Sequence, residues 1–521
     1  MKLLVADAVR TASGLRGNSV LVDNGAVVAV GDADKLSKPG IQIERVNGVL
    51  IPGLRDAHFH PVGYTAALTG LTLKDASSMS EVRERLQEQA ATLDDGEPLV
   101  AMRLDDETLA EHRFPTRVEL DEWLGDRPVL VHRYCGHVAV ANTAALAFAH
   151  IGRHSTPPPG GNIDFDDRGF PTGVLRETAV DVVAGAIPPG KPISAQQLID
   201  AMRGLAGLGL TSIGAMAGCG DGLWASLGDE IALLAEVGHD LPIHVRVMVI
   251  ANDPATLEAS AETLRDAGPM VSFLGLKRFA DGSLGGHTAA MYEPFADNAA
   301  TTGTVRLEPS DLALARHAAR MNATVAIHAI GDAATGTVLD VMETLLDDGA
   351  DPDRLRIEHA SVITSGDISR FADTQVIASV QPAFLGSETD WLPSRVGPER
   401  LERTYPFRSL IDAGARLAGG SDCPVEPPNP LLGAALARDR AGMVPSESLR
   451  AEEALALFTD WAAVAIGEDQ PLAPGTSADL VLLDRDPITS SPDELREASV
   501  RTTWVRGQRV PVDHEWVTWT S

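Results

Sequence analysis

Short stretches of alternating apolar and polar residues open the chain. Residues 1–50 contain KLLVADAVR, NSVLVDNGAVVAVGD and IQIERVNGVLIPG, with turn residues between them. Alternation over a few residues is typical of half-buried β-strands. A similar pattern returns near the other end, in ADLVLLDRDP and VRTTWVRGQRVPV. We therefore predict that residues 1–52 and 473–521 pair into one small sheet domain built from both termini.

Between these ends, continuous apolar runs recur, and a helical pattern follows most of them. The runs are GVLIPGLRDAHFH, LTSIGAM, IHVRVMVI, VSFLGLKRFADG, ATVAIHAIGD, LRIEHAS, QVIASVQP and ARLAGGSD. Apolar strands that alternate with helices predict a parallel sheet buried on both faces. Eight such units predict an α/β fold, a closed (β/α)8 barrel of the TIM type, over residues 53–472.

One interval between the first two runs is much too long for a single crossover helix. It covers about residues 62–205 and contains its own strand-like RPVLVHRYCGH and a Pro/Gly-rich STPPPGGNIDFDDRGFPTG. We interpret this interval as an insertion after the first barrel strand that covers one mouth of the barrel.

Composition and charge narrow the classes of partner. Of the 521 residues, 44% are hydrophobic and 22% charged, as in ordinary globular proteins, and the net charge is −30. Such a surface repels nucleic acids and anionic membranes. The sparse, odd set of cysteines, Cys135, Cys219 and Cys423, offers no disulfide framework. No apolar run approaches the ~20 residues of a membrane span. We therefore predict a cytoplasmic protein without a nucleic-acid or membrane partner.

Polar residues at the ends of the predicted strands are candidates for chemistry, because barrel active sites lie at the carboxyl ends of the strands. The first run ends in RDAHFHP, where a single spacer directs His58 and His60 to the same side. The fifth run carries His328, the sixth His359 and the eighth Asp422. Imidazole and carboxylate groups in this arrangement predict a site for zinc or another first-row divalent ion.

Each of these residues also has an ordinary structural interpretation. The pair His58 and His60 could pack together or lie on the surface, and His328 and His359 could be core histidines. Asp422 follows GGS and could cap a helix. Taken together, these structural interpretations are weaker than a metal site, because all five residues would have to lie at strand ends by chance.

Lys277 lies in the fourth run, FLGLKRFADG, where either it or Arg278 must face the barrel interior. A bare ammonium there is unfavourable, and its pKa would be lowered. A lysine that has reacted with carbon dioxide becomes an anionic carbamate that can bridge two metal ions. Alternatively, Lys277 pairs with Asp281 or contacts the substrate directly.

Several long, ordered motifs resemble the amidohydrolase superfamily, and specifically the family 3 branch that includes N-substituted formamide deformylase-like enzymes. They are PGLRDAHFHP, GLKRFADGSLGGHTA, VAIHAIGDAA, RIEHAS, SVQPAF, DWLPSRVGPERLERTYPFRSLIDAG, GGSDCPVEPPNPL and PGTSADLVLLDRDP. The resemblance covers nearly the whole chain. It implies a barrel with a small β-sandwich domain formed by both termini, in agreement with the pattern above.

The resemblance also implies roles for individual residues. The implied metal-site residues are His58, His60, Lys277, His328, His359 and Asp422. Lys277 would be the carboxylated lysine that bridges the metals, and Asp422 would be the catalytic base near or on the metal. His137, in YCGHVAVAN, is a candidate substrate contact, although an ordinary loop histidine is an equal alternative.

Three positions depart from the family pattern. Arg55 stands where an apolar residue or tryptophan is usual, His287 where many relatives have arginine, and Cys423 where tryptophan is common. None removes a metal ligand. His287 and Cys423 lie near the expected barrel mouth, so a relative's substrate cannot simply be transferred, and His287 becomes a second candidate substrate contact.

These observations predict a metal-dependent amidohydrolase that hydrolyses an amide-type carbon–nitrogen bond. One or two divalent ions, zinc first, would activate water, with carbon dioxide entering only as the lysine carbamate. The expected partner is a small-molecule substrate, and formation of a homo-oligomer is left open. The alternatives are a deaminase, a cyclic-amide hydrolase or an esterase with the same site, and, more remotely, an inactive ligand-binding barrel.

Overall fold

The structure is a computed structural model that describes residues 1–134, 136–158, 161–188, 192–219 and 228–512. Cys135, residues 159–160 of the Pro/Gly-rich stretch and residues 513–521 of the expected terminal domain lie outside the described residues. The strands within the described ranges form three sheets. Within these ranges, no helix combines the length and apolar character needed to cross a membrane.

Both ends of the chain contribute to the first sheet. Its strands are β1 (Lys2–Arg10), β2 (Arg16–Asp23), β3 (Ala26–Gly31), β4 (Gln42–Arg45), β5 (Val49–Pro52), β20 (Leu480–Leu483), β21 (Val500–Val505) and β22 (Gln508–Arg509). Two short helices, α1 (Ala33–Leu36) and α20 (Pro492–Arg496), accompany them. The antiparallel pairing of β5 with β20 joins the two terminal segments. Leu4, Leu50, Leu480 and Trp504 share one apolar cluster beside this sheet.

The second sheet contains eight parallel strands in chain order. They are β6 (Leu54–Phe59), β13 (Leu210–Gly218), β14 (His244–Ile250), β15 (Val271–Phe279), β16 (Thr324–Ala329), β17 (Leu355–His359), β18 (Ile377–Val380) and β19 (Arg416–Gly419). Its edges meet where the Asp422 amide donates to the His58 carbonyl and the His60 amide to the Cys423 carbonyl, both at 2.8 Å. The sheet is therefore nearly closed, which confirms the predicted α/β class with eight parallel strands.

Helices surround this sheet, as expected for strands that are buried on both faces. They are α2 (Pro61–Thr69), α7 (Ala195–Gly207), α8 (Glu230–Val237), α9 (Pro254–Arg265), α10 (Pro309–Arg320), α11 (Asp332–Asp347), α12 (Ser365–Thr374), α13 (Phe384–Ser387), α14 (Leu392–Val396), α15 (Pro398–Leu401), α16 (Phe407–Ala413), α17 (Pro430–Asp439), α18 (Ala451–Leu457) and α19 (Asp460–Ala465). Their starts follow ordinary capping rules. In α9, the Asp253 side chain accepts from the Thr256 amide and proline occupies the first turn.

The first apolar run contributes to two sheets rather than one. Its first half is β5 of the terminal sheet, and its second half is β6 of the barrel. The chain changes sheets at Gly53, where a Cβ atom would lie only 2.1 Å from the Thr211 hydroxyl. A close approach of this kind requires glycine, so the PG pair that precedes the histidines marks the crossing between the two sheets.

The insertion forms the third sheet, with strands in the order β11-β12-β10-β9-β8-β7. Its strands are β7 (Leu71–Thr72), β8 (Leu99–Leu104), β9 (Val129–Arg133), β10 (Val138–Ala141), β11 (Gly161–Phe165) and β12 (Pro171–Glu177), with helices α3 (Met79–Ala90), α4 (Arg117–Leu124), α5 (Thr143–Phe148) and α6 (Thr178–Ala186). A separate apolar cluster that includes Val82, Leu99 and Val129 stabilises it. The loop between β9 and β10 reaches the cavity at the barrel mouth.

Candidate metal centre

Two histidines and a carboxylate meet where the first and last barrel strands end. The Nε2 atom of His58 lies 3.1 Å from Asp422 Oδ1, and that of His60 lies 3.2 Å from the same oxygen. One donor atom from each of the three residues lies within 4.8 Å of the others. Their residues are only 1%, 6% and 8% exposed. The single spacer between the histidines brings both rings to this point, because side chains alternate along a strand.

His328 and His359 stand beside this group. The His359 ring lies 5.0 Å from the His58 ring and 4.4 Å from the His328 ring, measured between centroids. His328 Nε2 donates to the Gly282 carbonyl at 3.0 Å. Among the residues that the structure describes, His359 Nδ1 has no hydrogen-bond partner although it is buried. A buried nitrogen of this kind, next to other donors, fits a ligand to a cation.

The backbone is strained at two of these positions. His359 has φ 73° and Asp422 has φ 58°, in the left-handed region that favours glycine. Residues held there cost about 1–3 kcal/mol and cluster at functional sites. The strain places both side chains toward the same point at the ends of β17 and β19.

Asp422 is an ionised carboxylate in this setting. Burial alone would raise its pKa, but the neighbouring His58, His60 and His359 hold that pKa well below its usual range. A carboxylate that stays charged while fully buried needs cationic partners. The pKa of His58 is raised, but burial lowers the pKa values of His60 and His359, so a divalent ion would supply the positive charge more strongly.

Lys277 projects from β15 into the barrel interior and is fully buried. Its Nζ lies 4.9 Å from the Phe279 ring centroid and, within the described part of the chain, has no hydrogen-bond partner. Burial lowers its pKa to about 8, although Glu358 and Asp422 act in the opposite direction. Pairing with Asp281 is not observed, because the carboxylate of Asp281 accepts from three backbone amides of later loops.

Two charged residues that sequence reasoning missed support the site from β17. His58 Nδ1 donates to Glu358 Oε2 at 2.6 Å, and Arg356 Nε donates to Glu358 Oε1 at 2.9 Å. Burial raises the pKa of Glu358, but Arg356, His58 and Lys277 outweigh it and lower that pKa to about 2. A carboxylate behind a metal-binding histidine fixes its tautomer and orientation. The signal in the sequence was RIEH, two charges within a buried strand.

The insertion contributes His137 to the same region. Its ring centroid lies 5.3 Å from that of His328, and its Nδ1 donates to Glu177 Oε2 at 2.9 Å. Arg306 Nη1 donates to the same oxygen at 2.7 Å. Glu177 therefore holds the His137 ring at the edge of the histidine cluster.

The three departures from the family pattern have different surroundings. His287 Nε2 lies 3.0 Å from Asp297 Oδ1, and its side chain is 25% exposed. Arg55 donates to Glu468 at 2.8 Å, a buried pair at the start of β6. Cys423 is fully buried beside the barrel closure. Substrate binding by His287 therefore stays a prediction without support from its position.

A small cavity of about 30 Å³ lies beside His328, His359 and Asp422. The residues that line it are Arg133, Tyr134, His137, Ser283, Leu284, Gly285, His328, Ile330, His359, Phe384, Glu388, Tyr405, Asp422 and Val425. Imidazole nitrogens and a carboxylate oxygen are donors that suit zinc and related divalent ions. The residues present therefore fit a divalent cation. The molecule belongs to the class of parallel α/β barrels with a buried nitrogen and oxygen donor set at the carboxyl ends of the strands.

Comparison with known proteins agrees with this class. The model of the amidohydrolase family matches residues 46–511. The chain is 30% identical to the putative amidohydrolase YtcJ of Bacillus subtilis over 519 residues, covering 95% of this chain and 96% of that protein. It is 27% identical to the N-substituted formamide deformylase of Arthrobacter pascens, covering 94% of each. The chain belongs to the amidohydrolase family, as its motifs predicted, and is therefore a hydrolase.

Among solved structures, an uncharacterized metal-dependent hydrolase from Pyrococcus horikoshii OT3 has the same fold. It superposes with a TM-score of 0.73 at 28% sequence identity, over 94% of this chain and 99% of that one. An atrazine chlorohydrolase from Arthrobacter aurescens, solved with zinc, superposes with a TM-score of 0.51 at 16% identity. The second likeness concerns the fold alone.

Proposed function

We propose that the protein is a metal-dependent hydrolase that cleaves an amide-type carbon–nitrogen bond in a small molecule. The observation that carries this proposal is the buried Asp422 carboxylate, which lies 3.1 and 3.2 Å from two histidine nitrogens at the floor of the cavity. Family membership supports hydrolysis, and the donor set supports a metal. That the bond cleaved is an amide is a further part of the proposal.

The metal would be held by the side chains that meet at the strand ends: His58, His60, His328, His359 and Asp422. When bound, one or two divalent ions, zinc first, supply Lewis acidity and lower the pKa of water. Lys277 is proposed to carry carbon dioxide as a carbamate, since a fully buried amine with a lowered pKa is a better nucleophile than an exposed lysine.

The residues of the chain then have separate tasks in hydrolysis. Asp422 accepts a proton from the attacking water as the carbon–oxygen bond forms. It returns that proton to the nitrogen as the carbon–nitrogen bond breaks, so the products are a carboxylic acid and an amine. His137 stands at the edge of the cluster, where it can contact the carbonyl oxygen as negative charge develops.

The test combines metal analysis with a substrate panel. Protein purified without chelator should contain at least one divalent ion per chain. It should hydrolyse a member of a panel of N-formyl, N-acyl and cyclic amides, with activity that a chelator removes and zinc, manganese or cobalt restores. His58→Ala should lose metal and activity together, because the coordination sphere is opened. His150→Ala, an exposed histidine, is the matched control.

Each outcome of the panel has a meaning. Protein without metal, and without activity when metals are added, contradicts the enzyme proposal and favours a ligand-binding barrel. Release of ammonia from an amino-substituted ring favours a deaminase, ring opening favours a cyclic-amide hydrolase, and faster cleavage of matched esters favours an esterase.

Several expectations from the sequence stay part of this proposal. They are a small-molecule partner, no nucleic-acid or membrane partner and a cytoplasmic location. Formation of a homo-oligomer is left open. We also propose that the domain boundaries lie at residues 52–53 and 472–473 and that the terminal sheet is arranged as a β-sandwich.

A further inference from the structure

Two charged side chains line the reaction cavity without a task in the proposed hydrolysis. Arg133 comes from the end of β9 in the insertion, and Glu388 follows α13. Both line the same cavity as His359 and Asp422. The Arg133 side chain is only 1% exposed, and Glu388 is 7% exposed. Buried charged groups of this kind at a cavity wall are candidates for ligand recognition.

The Arg133 guanidinium is fixed from several sides. Its Nε donates to Asp106 Oδ1 at 2.6 Å, and its Cζ lies 4.4 Å from the Tyr134 ring centroid. A Cβ atom at Gly285 would lie 2.5 Å from Arg133 Nη1, so the missing side chain leaves room for the guanidinium. Arg395 Nη1 donates to the Gly285 carbonyl at 2.8 Å and holds that backbone in place. The guanidinium is therefore preorganised.

Glu388 is a buried carboxyl group that accepts a hydrogen bond in this cavity. Burial raises its pKa to about 8. Tyr405 opposes that shift, Glu426 adds to it, and Arg133 and Arg395 oppose it more weakly. His137, His328, His359 and Asp422 line the same cavity as Glu388. The Tyr405 hydroxyl donates to Glu388 Oε2 at 2.7 Å. A pKa of about 8 favours the protonated carboxyl at neutral pH, and its other oxygen can then donate to a ligand.

We propose that Arg133 and Glu388 form an anchor for a carboxylate group on the substrate, so that the enzyme prefers small amides with an anionic arm. This inference rests on the proposed function. A guanidinium and a protonated carboxyl are both donors, and a carboxylate, which only accepts, satisfies both. Phe384, Ile330 and Val425 line the same cavity and are apolar, which suits a short carbon skeleton.

The test uses matched amides that differ only in the distal group. N-formyl derivatives of 3-aminopropanoate, 3-aminopropanamide and 1,3-diaminopropane present a carboxylate, a neutral carboxamide and an ammonium. A second series places the same groups on the acyl side of the amide. We expect the carboxylate member of one series to exceed its carboxamide in kcat/KM by about 10- to 100-fold, as charge-assisted contacts provide.

Variants of Arg133 and Glu388 test whether these residues cause the preference for the carboxylate over the carboxamide. Arg133→Met should reduce the ratio of carboxylate to carboxamide to about one, and Arg133→Lys should keep part of it. Arg316→Met, an exposed arginine on α10, should keep the wild-type ratio. Ionised Glu388 would repel a carboxylate, so the wild-type ratio should fall as pH rises through about 8. Glu388→Gln keeps a neutral donor and should remove that fall.

The outcomes separate this inference from the proposed function. If amides are hydrolysed without preference for the carboxylate, or if Arg133→Met slows all three members equally, the anchor is wrong while the hydrolase proposal stands. Preference for the ammonium member would mean an ionised Glu388 and a site for cations. If nothing is hydrolysed, calorimetric binding of the same compounds decides. Tighter binding of the carboxylate that depends on Arg133 supports the anchor, and equal binding overturns it.

Discussion

Glu358→Gln is the most informative single change, because it alters one proton position behind the proposed metal ligands. In the wild type, His58 Nδ1 donates to Glu358 Oε2 at 2.6 Å, which leaves Nε2 of His58 as the atom that faces Asp422. In the variant, Arg356 would retain the amide oxygen as its acceptor, and the NH2 group would face His58 Nδ1. A donor at that place shifts the imidazole proton to Nε2, where it blocks coordination.

The expected magnitude follows from this tautomer. Changes to a carboxylate behind a metal-bound histidine typically cost about 10- to 100-fold in metal affinity, or ~1.4–2.7 kcal/mol. The short, fully buried contact places Glu358 at the upper part of that range. The variant also removes the charge that neutralises Arg356, so its melting temperature should fall as well.

Glu468→Gln separates the two effects. Glu468 is also a buried carboxylate with a pKa lowered to about 2, and it binds Arg55 at 2.8 Å and Arg246 at 3.1 Å, away from the histidines. Both variants should lose stability, and only Glu358→Gln should lose metal. The assay is metal content by elemental analysis after dialysis against graded chelator, with thermal melts in parallel. A folded Glu358→Gln protein with wild-type metal affinity would refute this reasoning.

Four further changes test other parts of the molecule. Asp422→Asn should lower kcat by at least ~10²-fold, because general acid–base catalysis contributes ~10²- to 10⁴-fold, with metal only partly lost; near-normal kcat would assign the base elsewhere. Lys277→Ala should lose one of two metals and regain activity with a short carboxylic acid, and wild-type reconstitution should accelerate with bicarbonate; an unmodified Lys277 in a crystal structure of the active protein contradicts this. Glu177→Gln should lower kcat/KM without changing metal content, since it holds His137 at 2.9 Å; unchanged kinetics would leave His137 an ordinary loop residue. Burial raises the pKa of Glu230 to about 8, so the folded protein keeps a proton that the unfolded chain releases from about pH 4.5. The free energy of unfolding should therefore fall as the pH rises from about 4.5 to about 8. Denaturant titrations of Glu230→Gln should no longer show this fall.

The barrel could be predicted from the sequence because its strands are local and strongly patterned. Runs such as LTSIGAM and IHVRVMVI are buried along nearly their whole length, and a strand buried on both faces leaves a continuous apolar signal. The histidines could be found because strand ends meet at one mouth whatever the loops do. In the structure the His359 ring lies beside the rings of His58 and His328, and the roles of these residues as ligands stay predictions.

The insertion and the supporting residues could not be predicted in the same way. The six-stranded sheet of the insertion has β7 with two residues and β10 with four, too short for a pattern to separate them from loops. Glu388 and Arg133 lie 255 positions apart in the chain. Only the tertiary fold brings them to the lining of one cavity, and no local spacing in the sequence indicates this.

Closing the barrel and assembling the proposed metal centre are one structural event. The Asp422 amide donates to the His58 carbonyl, and the His60 amide donates to the Cys423 carbonyl, so the bonds that close the sheet belong to residues of the site and their neighbours. Asp56 accepts from the His58 amide and from the amide and hydroxyl of the residue before Asp422, which fixes both strands at the same level. Loss of closure would separate His58 and His60 from Asp422. A cation bound by these three residues would in turn hold the first and last strands together, so metal binding and barrel closure should stabilise each other.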